Sequence, residues 1–166
     1  MIKRVNVYIS SEHKQVIIAP LYQAEDEVVY EQDNCRSLPY PVSAEMLASE
    51  VMGALNRFFV DNKHPGSISG LEVLDGYRGF YVGETKQGGW SAHKMSKLKT
   101  VAAFEDSYMY ISISGANETN RTLVIEGSPS KSNDLWIKTS ISAFAQREQI
   151  GEKILQVYDA CINRKV

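Results

Sequence analysis

Residues 4–9, RVNVYI, put Val5, Val7 and Ile9 on one side of an extended chain, because side chains alternate between the two faces of a strand. Ser10-Ser11-Glu12-His13 is polar and turn-like, and residues 15–22, QVIIAPLY, follow with β-branched and apolar side chains. Two such runs across a short polar turn predict an antiparallel hairpin, which commits the chain to a sheet within its first 22 residues. Pro20 predicts that the second strand ends there or lies at an edge, since proline cannot donate to a ladder.

The rest of the chain extends this pattern. A third short strand is expected at Val28-Val29-Tyr30, amid acids, and a fourth piece before Leu38-Pro39-Tyr40-Pro41, which the prolines restrict to extended or turned backbone. Ser43 is a good helix N-cap with Glu45 in the first turn. From there Met46, Leu47, Val51, Leu55, Phe58 and Phe59 form an apolar stripe at helical spacing, running to about Val60. Residues 61–91 are glycine-rich; 71–74 and 80–82 read as strands around Asp75-Gly76, and Gln87-Gly88-Gly89 as a turn. A short helix is expected over 92–98. Residues 108–114 alternate, with Tyr108, Tyr110 and Ser112 on one face and Met109, Ile111 and Ile113 on the other. Residues 115–120 supply turn chemistry and 121–126 return as a second hairpin. One more strand is expected at 135–141. A last helix is expected over 147–163, with Ile150, Ile154, Leu155, Val157, Tyr158 and Ile162 as its stripe. Paired strands, one internal helix and one terminal helix predict an α+β fold: a mainly antiparallel sheet, two principal amphipathic helices and a single pair of layers. Nothing reads as a linker or repeat, so one domain over 1–166 is expected.

Composition narrows the function classes. The formal net charge of −2 and pI of about 5.9 argue against nucleic acid as the main partner. No apolar run reaches the length of a membrane span, and the start lacks the apolar core of a secretion signal. Cys35 and Cys161 stand alone, as in a protein kept in a reducing compartment; the expected location is cytoplasmic.

Searches for catalytic constellations end without one. His13, His64 and His93 are isolated from each other and from cysteine at the spacing metal sites use, so no metal is expected. Gly66-Ser67-Ile68-Ser69-Gly70 has Ile where a nucleophile elbow needs Ser. Neither phosphate-cradling glycine pattern occurs, and no cofactor is expected. Cys161 falls near the buried stripe of the last helix and reads as packing.

The charges, by contrast, are segregated. Between residues 85 and 104 there is no Asp or Glu, while Lys86, Lys94, Lys97 and Lys99 surround Trp90 and His93. Glu25, Asp26, Glu27, Glu31 and Asp33 crowd together elsewhere. The acids read either as a solvated turn or as a patch that meets a basic partner. The basic run reads as the polar face of a short helix anchored by Trp90, as a protein contact, or as a nucleic-acid surface with Trp90 as a stacking platform.

Two regions together resemble a known family. The first is the opening hairpin, the acidic segment and the proline-flanked helix start Leu38-Pro39-Tyr40-Pro41-Val42-Ser43. The second is the basic segment from Trp90 to Phe104 with the alternating strand after it. With the closing amphipathic helix, the chain resembles the immunity proteins of bacterial contact-dependent growth inhibition systems. The resemblance implies a small cytoplasmic protein, not an enzyme, that binds one cognate toxin C-terminal domain one-to-one, often a nuclease, and neutralises it. Toxin contacts vary with the toxin in such proteins, so no site residue transfers.

An acidic patch would suit the basic surface of a nuclease and speed association, and a free strand edge would offer main-chain hydrogen bonds. The expected protein-binding residues are Glu25, Asp26, Glu27, Glu31 and Asp33 with Tyr30 as aromatic anchor, and Trp90, His93, Lys94 and Lys97 as a second contact region. The alternative is a nucleic-acid-binding module using the face from Lys86 to Lys99; a hydrolase built from converging histidines and acids is third.

Overall fold

A computed structural model describes residues 2–24, 29–61, 81–82, 85–86, 91–115, 119, 121–129 and 136–164. The expected N-terminal hairpin is present as β1 (Lys3–Ser10) and β2 (Gln15–Ala24), antiparallel with Val7 opposite Ile18. Two short strands follow, β3 (Val29–Glu31) and β4 (Arg36–Pro39), and both run antiparallel along β2. They behave as one broken strand: Leu21 faces Glu31, and Ile18 faces Arg36.

That break explains Pro20, which the sequence assigned to a strand end or an edge. Instead β2 continues through Pro20 to Ala24 in the sheet interior, with Pro20 opposite Val5. The Pro20 carbonyl accepts from Gln32 N–H at 2.8 Å. In a strand the N and C=O of one residue point to the same side, so the missing proline N–H faces the gap between β3 and β4. No ladder bond is lost there.

Helix α1 (Ala44–Asn56) begins where expected, with Met46 N–H donating to the Ser43 side chain at 3.2 Å. It ends earlier than its apolar stripe suggests. Arg57 caps it, and Phe59–Asp61 becomes β5, pairing parallel with Tyr22 to Ala24 of β2. Gln32 holds this exit, its side-chain amide donating to Leu21 O and Arg57 O at 2.8 Å each. Phe58 is buried, whereas Phe59 and Met46 are about half exposed; Phe59 stacks on Tyr22 at 5.4 Å.

The two-residue strands β6 (Tyr81–Val82) and β7 (Thr85–Lys86) form a separate pair; the strand expected at 71–74 lies outside the described residues. The short helix α2 (Ser91–Ser96) is followed by α3 (Val101–Ser107), which the sequence reading did not separate from the basic run. Thr100 caps α3, accepting from Ala103 N–H at 3.1 Å. The second hairpin is β8 (Met109–Gly115) with β9 (Thr122–Gly127), and β10 (Ile137–Ser142) pairs with β9. Helix α4 (Arg147–Asn163) has the expected bounds. Among the described residues the main sheet runs β10-β9-β8-β1-β2-β3, with β4 and β5 also on β2; every pair is antiparallel except β2–β5.

Alternation sorts the side chains into two clusters. Val5, Val7, Ile9, Val16, Ile18, Ile111 and Ile113 face α1 and α4 in the larger core. Each such fully buried aliphatic side chain contributes roughly 1.5–3 kcal/mol over its exposed state. Tyr8, Ile17, Ala19 and Tyr110 point the other way, against Ala92 of α2 and Phe104 of α3. The expected pair of layers is therefore α1 and α4 on the sheet, and the two short helices add partial cover to its second face. Cys161 is fully buried in the larger core, as expected for a packing cysteine. Gly151 of α4 lies against the first turn of α1: a Cβ there would stand 1.9 Å from Ala44 O.

Candidate functional site

The second face of the sheet is the polar, aromatic one, and it places the predicted site residues. Glu31 was expected on a surface patch. It is 5% exposed; Tyr8 Oη donates to its Oε1 at 2.6 Å and Ala92 N–H to its Oε2 at 3.0 Å. The carboxylate thus ties the sheet to the first turn of α2 and is not presented to a partner. Tyr30 was expected as an exposed anchor. It is 3% exposed, stacked on Tyr22 at 5.6 Å, because alternation in β3 turns it inward. Asp33 is exposed. Glu25, Asp26, Glu27 and Trp90 lie outside the described residues.

His93 is buried rather than offered at the surface, packed on Phe104 at 5.7 Å between ring centroids. Its Nε2 meets Leu98 O at 3.0 Å, so Nε2 carries the proton. Its Nδ1 has no partner among the described residues. Lys94 and Lys97, on α2 and just past its end, are exposed.

Where the β1–β2 turn, β4 and the end of α2 meet, the surface dips into an open groove of about 480 Å³. Its floor is built by a chain of contacts. Tyr108 Oη donates to Gln15 Oε1, and Gln15 Nε2 donates to Ser37 Oγ at 2.8 Å. The His13 ring lies flat on Tyr108, 5.6 Å between centroids and 10° between planes. Leu38 and Met95 add apolar lining, and Lys14 of the β1–β2 turn and Lys97 just past α2 both line the groove. Tyr40 N–H donates to Lys14 O at 2.9 Å, which fixes the turn to the end of β4.

Lys14 (φ 50°) and Lys97 (φ 60°) are the positive-φ residues other than glycine among the described residues. That region costs a lysine roughly 1–2 kcal/mol, and glycine or asparagine is the usual occupant. Sequence reasoning singled out Lys97 but missed Lys14, Gln15, Ser37 and Tyr108 as site residues. No local signal marks them, because the groove forms only when β4 lies along β2 and α2 closes the far side.

Among the described residues no group of three His, Cys, Asp or Glu stands close enough to hold a metal. Burial, joined by the Glu31 charge, pushes both Tyr8 and the Cys35 thiol up; burial alone does so at Tyr108 and Cys161 and leads the causes at Tyr110 and Tyr158. A raised thiol is the opposite of an activated nucleophile.

The same shifts set an alkaline limit. These groups hold their protons more tightly folded than unfolded, where thiols titrate near ~8.5 and phenols near ~10. Their stabilisation is complete below about pH 8, begins to fall as pH passes the unfolded values and is lost as pH rises through the higher folded ones. The unfolding midpoint should hold level from pH 7 to about 8, then fall, most steeply above about pH 10. A midpoint still level at pH 11, followed by circular dichroism, would contradict the buried phenols.

No protein-family model matches the chain, and no curated protein matches it in sequence. Solved structures do match. A protein of unknown function from Neisseria meningitidis superposes with a TM-score of 0.67 at 16% identity, covering 97% of this chain and 96% of its own. A chain of the CdiA-CT/CdiI toxin and immunity complex from Yersinia pseudotuberculosis superposes with a TM-score of 0.59 at 13% identity, covering 97% and 98%. The chain therefore shares its fold, end to end, with a component of a toxin and immunity complex. No helix among the described residues is long and apolar enough to cross a membrane.

Proposed function

We propose that this protein is an immunity protein: it binds one cognate toxin domain in a one-to-one complex and covers the toxin's active site. The observation that carries the reading is the end-to-end fold likeness to a chain of a toxin and immunity complex. The resemblance read from the opening hairpin, the proline-flanked helix start and the basic segment supports the same role. On this reading the chain belongs to a contact-dependent growth inhibition system, acts in the cytoplasm and performs no chemistry; the toxin is a nuclease. Exposed Asp33, Lys94 and Lys97 are its proposed contacts among the described residues, joined by Glu25, Asp26, Glu27 and Trp90. Tyr30, Glu31 and His93 act indirectly, by supporting that surface.

The test starts from the reading frame directly upstream. Its C-terminal ~200–300 residues, a length typical of one or two domains, are expressed with and without this protein. Growth arrest that this protein alone relieves, and a one-to-one complex by size exclusion with light scattering, are the expected results. Absence of toxicity, or toxicity without relief, rejects the role.

A further inference from the structure

We infer that the groove between the β1–β2 turn and the end of α2 receives an acidic segment of the protein partner, with Asp or Glu side chains seated between Lys14 and Lys97. The partner's identity rests on the immunity reading; the preference for carboxylates rests on the groove itself.

The first support is unanswered charge. Among the described residues no acid lines the groove and neither Lys14 nor Lys97 pairs with a carboxylate. Basic residues elsewhere do find partners: Arg36 meets Glu50 at 3.4 Å and Lys138 meets Glu126 at 3.7 Å. Lys94 and Lys99, neighbours of Lys97 in sequence, are exposed and add to the positive charge of this segment. A concave site lined by one sign of charge concentrates field and draws in the opposite sign.

The second support is backbone conformation. The two lysines in the left-handed region are the two that line this groove. A cation at a helix C-terminus suits the helix dipole, which accounts for a lysine near the end of α2. It does not account for Lys14 in a hairpin turn. Lysine in place of glycine at both positions lowers stability, and an observed outlier of this kind is a reason to look for a role.

The third support is preorganisation. The Tyr108–Gln15–Ser37 chain and the His13–Tyr108 stack fix the floor before anything binds. A polar floor with hydroxyl, amide and imidazole groups, flanked by two ammonium groups, suits carboxylates on a loop.

A protein carboxylate fits better than a nucleic-acid phosphate. The chain carries a net charge of −2, and the cations are gathered at a groove of about 480 Å³ rather than along a stripe that tracks a backbone. Tyr108 is 4% exposed with the His13 ring stacked on it, so it offers no open face for a base.

Two variants test the inference: K14E/K97E reverses the charge, and K14G/K97G removes it while relieving the left-handed backbone. Against the toxin domain encoded upstream, K14E/K97E should associate at least about tenfold more slowly in 50 mM salt and lose most of the wild-type salt dependence. K14G/K97G should unfold at an equal or higher temperature than wild type and still associate more slowly. Wild-type association rates in both variants would overturn the inference.

A second arm needs no toxin: an acidic hexapeptide of alternating Asp and Glu is titrated into the ¹⁵N-labelled protein. Amide shifts centred on residues 13–15, 37–38 and 95–98 support the groove even where the toxin candidate fails to bind, a failure that would remove the immunity reading alone. Absence of shifts there, or displacement of the peptide by a 20-nucleotide single strand at lower concentration, would overturn the carboxylate assignment.

Discussion

Gly151→Ala should lower the unfolding midpoint by roughly 6–12 °C, a loss of about 3 kcal/mol in a chain of this size. Two effects oppose each other. Alanine is the better helix former, by about 1 kcal/mol at an exposed helical site. At 151, however, a Cβ would stand 1.9 Å from Ala44 O and 2.4 Å from Ala44 C. The obstruction is backbone, so no rotamer change relieves it, and the α1–α4 pair would have to separate. That pair covers the larger core, in which Leu47, Val51, Ile150 and Ile154 are fully buried. Prising it apart removes dispersion contacts along the whole seam. Thermal unfolding of Gly151→Ala beside Gly53→Ala, whose Cβ would meet only Arg57 Nη1 at 3.8 Å, isolates the effect. A midpoint unchanged or raised at 151 would mean that the two helices do not meet there.

The elements that could be read in advance are those whose periodicity is set by one dominant core. β1 and the bounds of α4 follow from the alternation of Val5, Val7 and Ile9 and the stripe from Ile150 to Tyr158, because both bury against the same layer. The stripe of α1 misled at its end because Phe58 and Phe59 keep helical spacing while β2 offers residues 59–61 a ladder. Nothing local records that a strand waits there. Pro20 misled for a related reason: the rule concerns a missing donor, and what faces that donor depends on the break between β3 and β4.

The site was less legible than the fold. Acids are usually exposed, so Glu31 read as surface, and its role appears only once Tyr8 and Ala92 converge on it. Lys97 was visible as part of a charge run. Lys14 gained meaning only by lining the same groove. The fold likeness holds at 13% and 16% identity, the level at which core pattern persists while surfaces diverge. On the proposed immunity role, specificity for one toxin would belong on such surfaces.

Glu31→Leu should cost about 3 kcal/mol and weaken partner binding as well, whereas Glu31→Gln should cost less, about 1–2 kcal/mol, and bind nearly as wild type. The difference comes from what each side chain does for two buried donors. Leucine leaves the Tyr8 hydroxyl and the Ala92 N–H without an acceptor, each stranded donor costing about 1–3 kcal/mol. Removing a buried charge recovers part of that loss. Glutamine keeps a carbonyl oxygen for Ala92 N–H, so α2 stays held, but its amide faces the Tyr8 hydroxyl, which already accepts from Asn6 Nδ2 and loses the acceptor for its own proton. The carboxylate lies far along the chain from α2 yet holds its first turn, and α2 ends at the lysine that walls the groove. Loosening that turn lets Lys97 leave its place in the groove, so affinity falls with the hydrogen bond and not with any contact made by Glu31 itself. Hydrogen exchange at the Ala92 amide reads the local step: protection should drop in Glu31→Leu and persist in Glu31→Gln. Equal protection in both variants, with equal toxin affinity, would show that α2 is held by Phe104 and the apolar cluster beneath it, leaving Glu31 no part in the site.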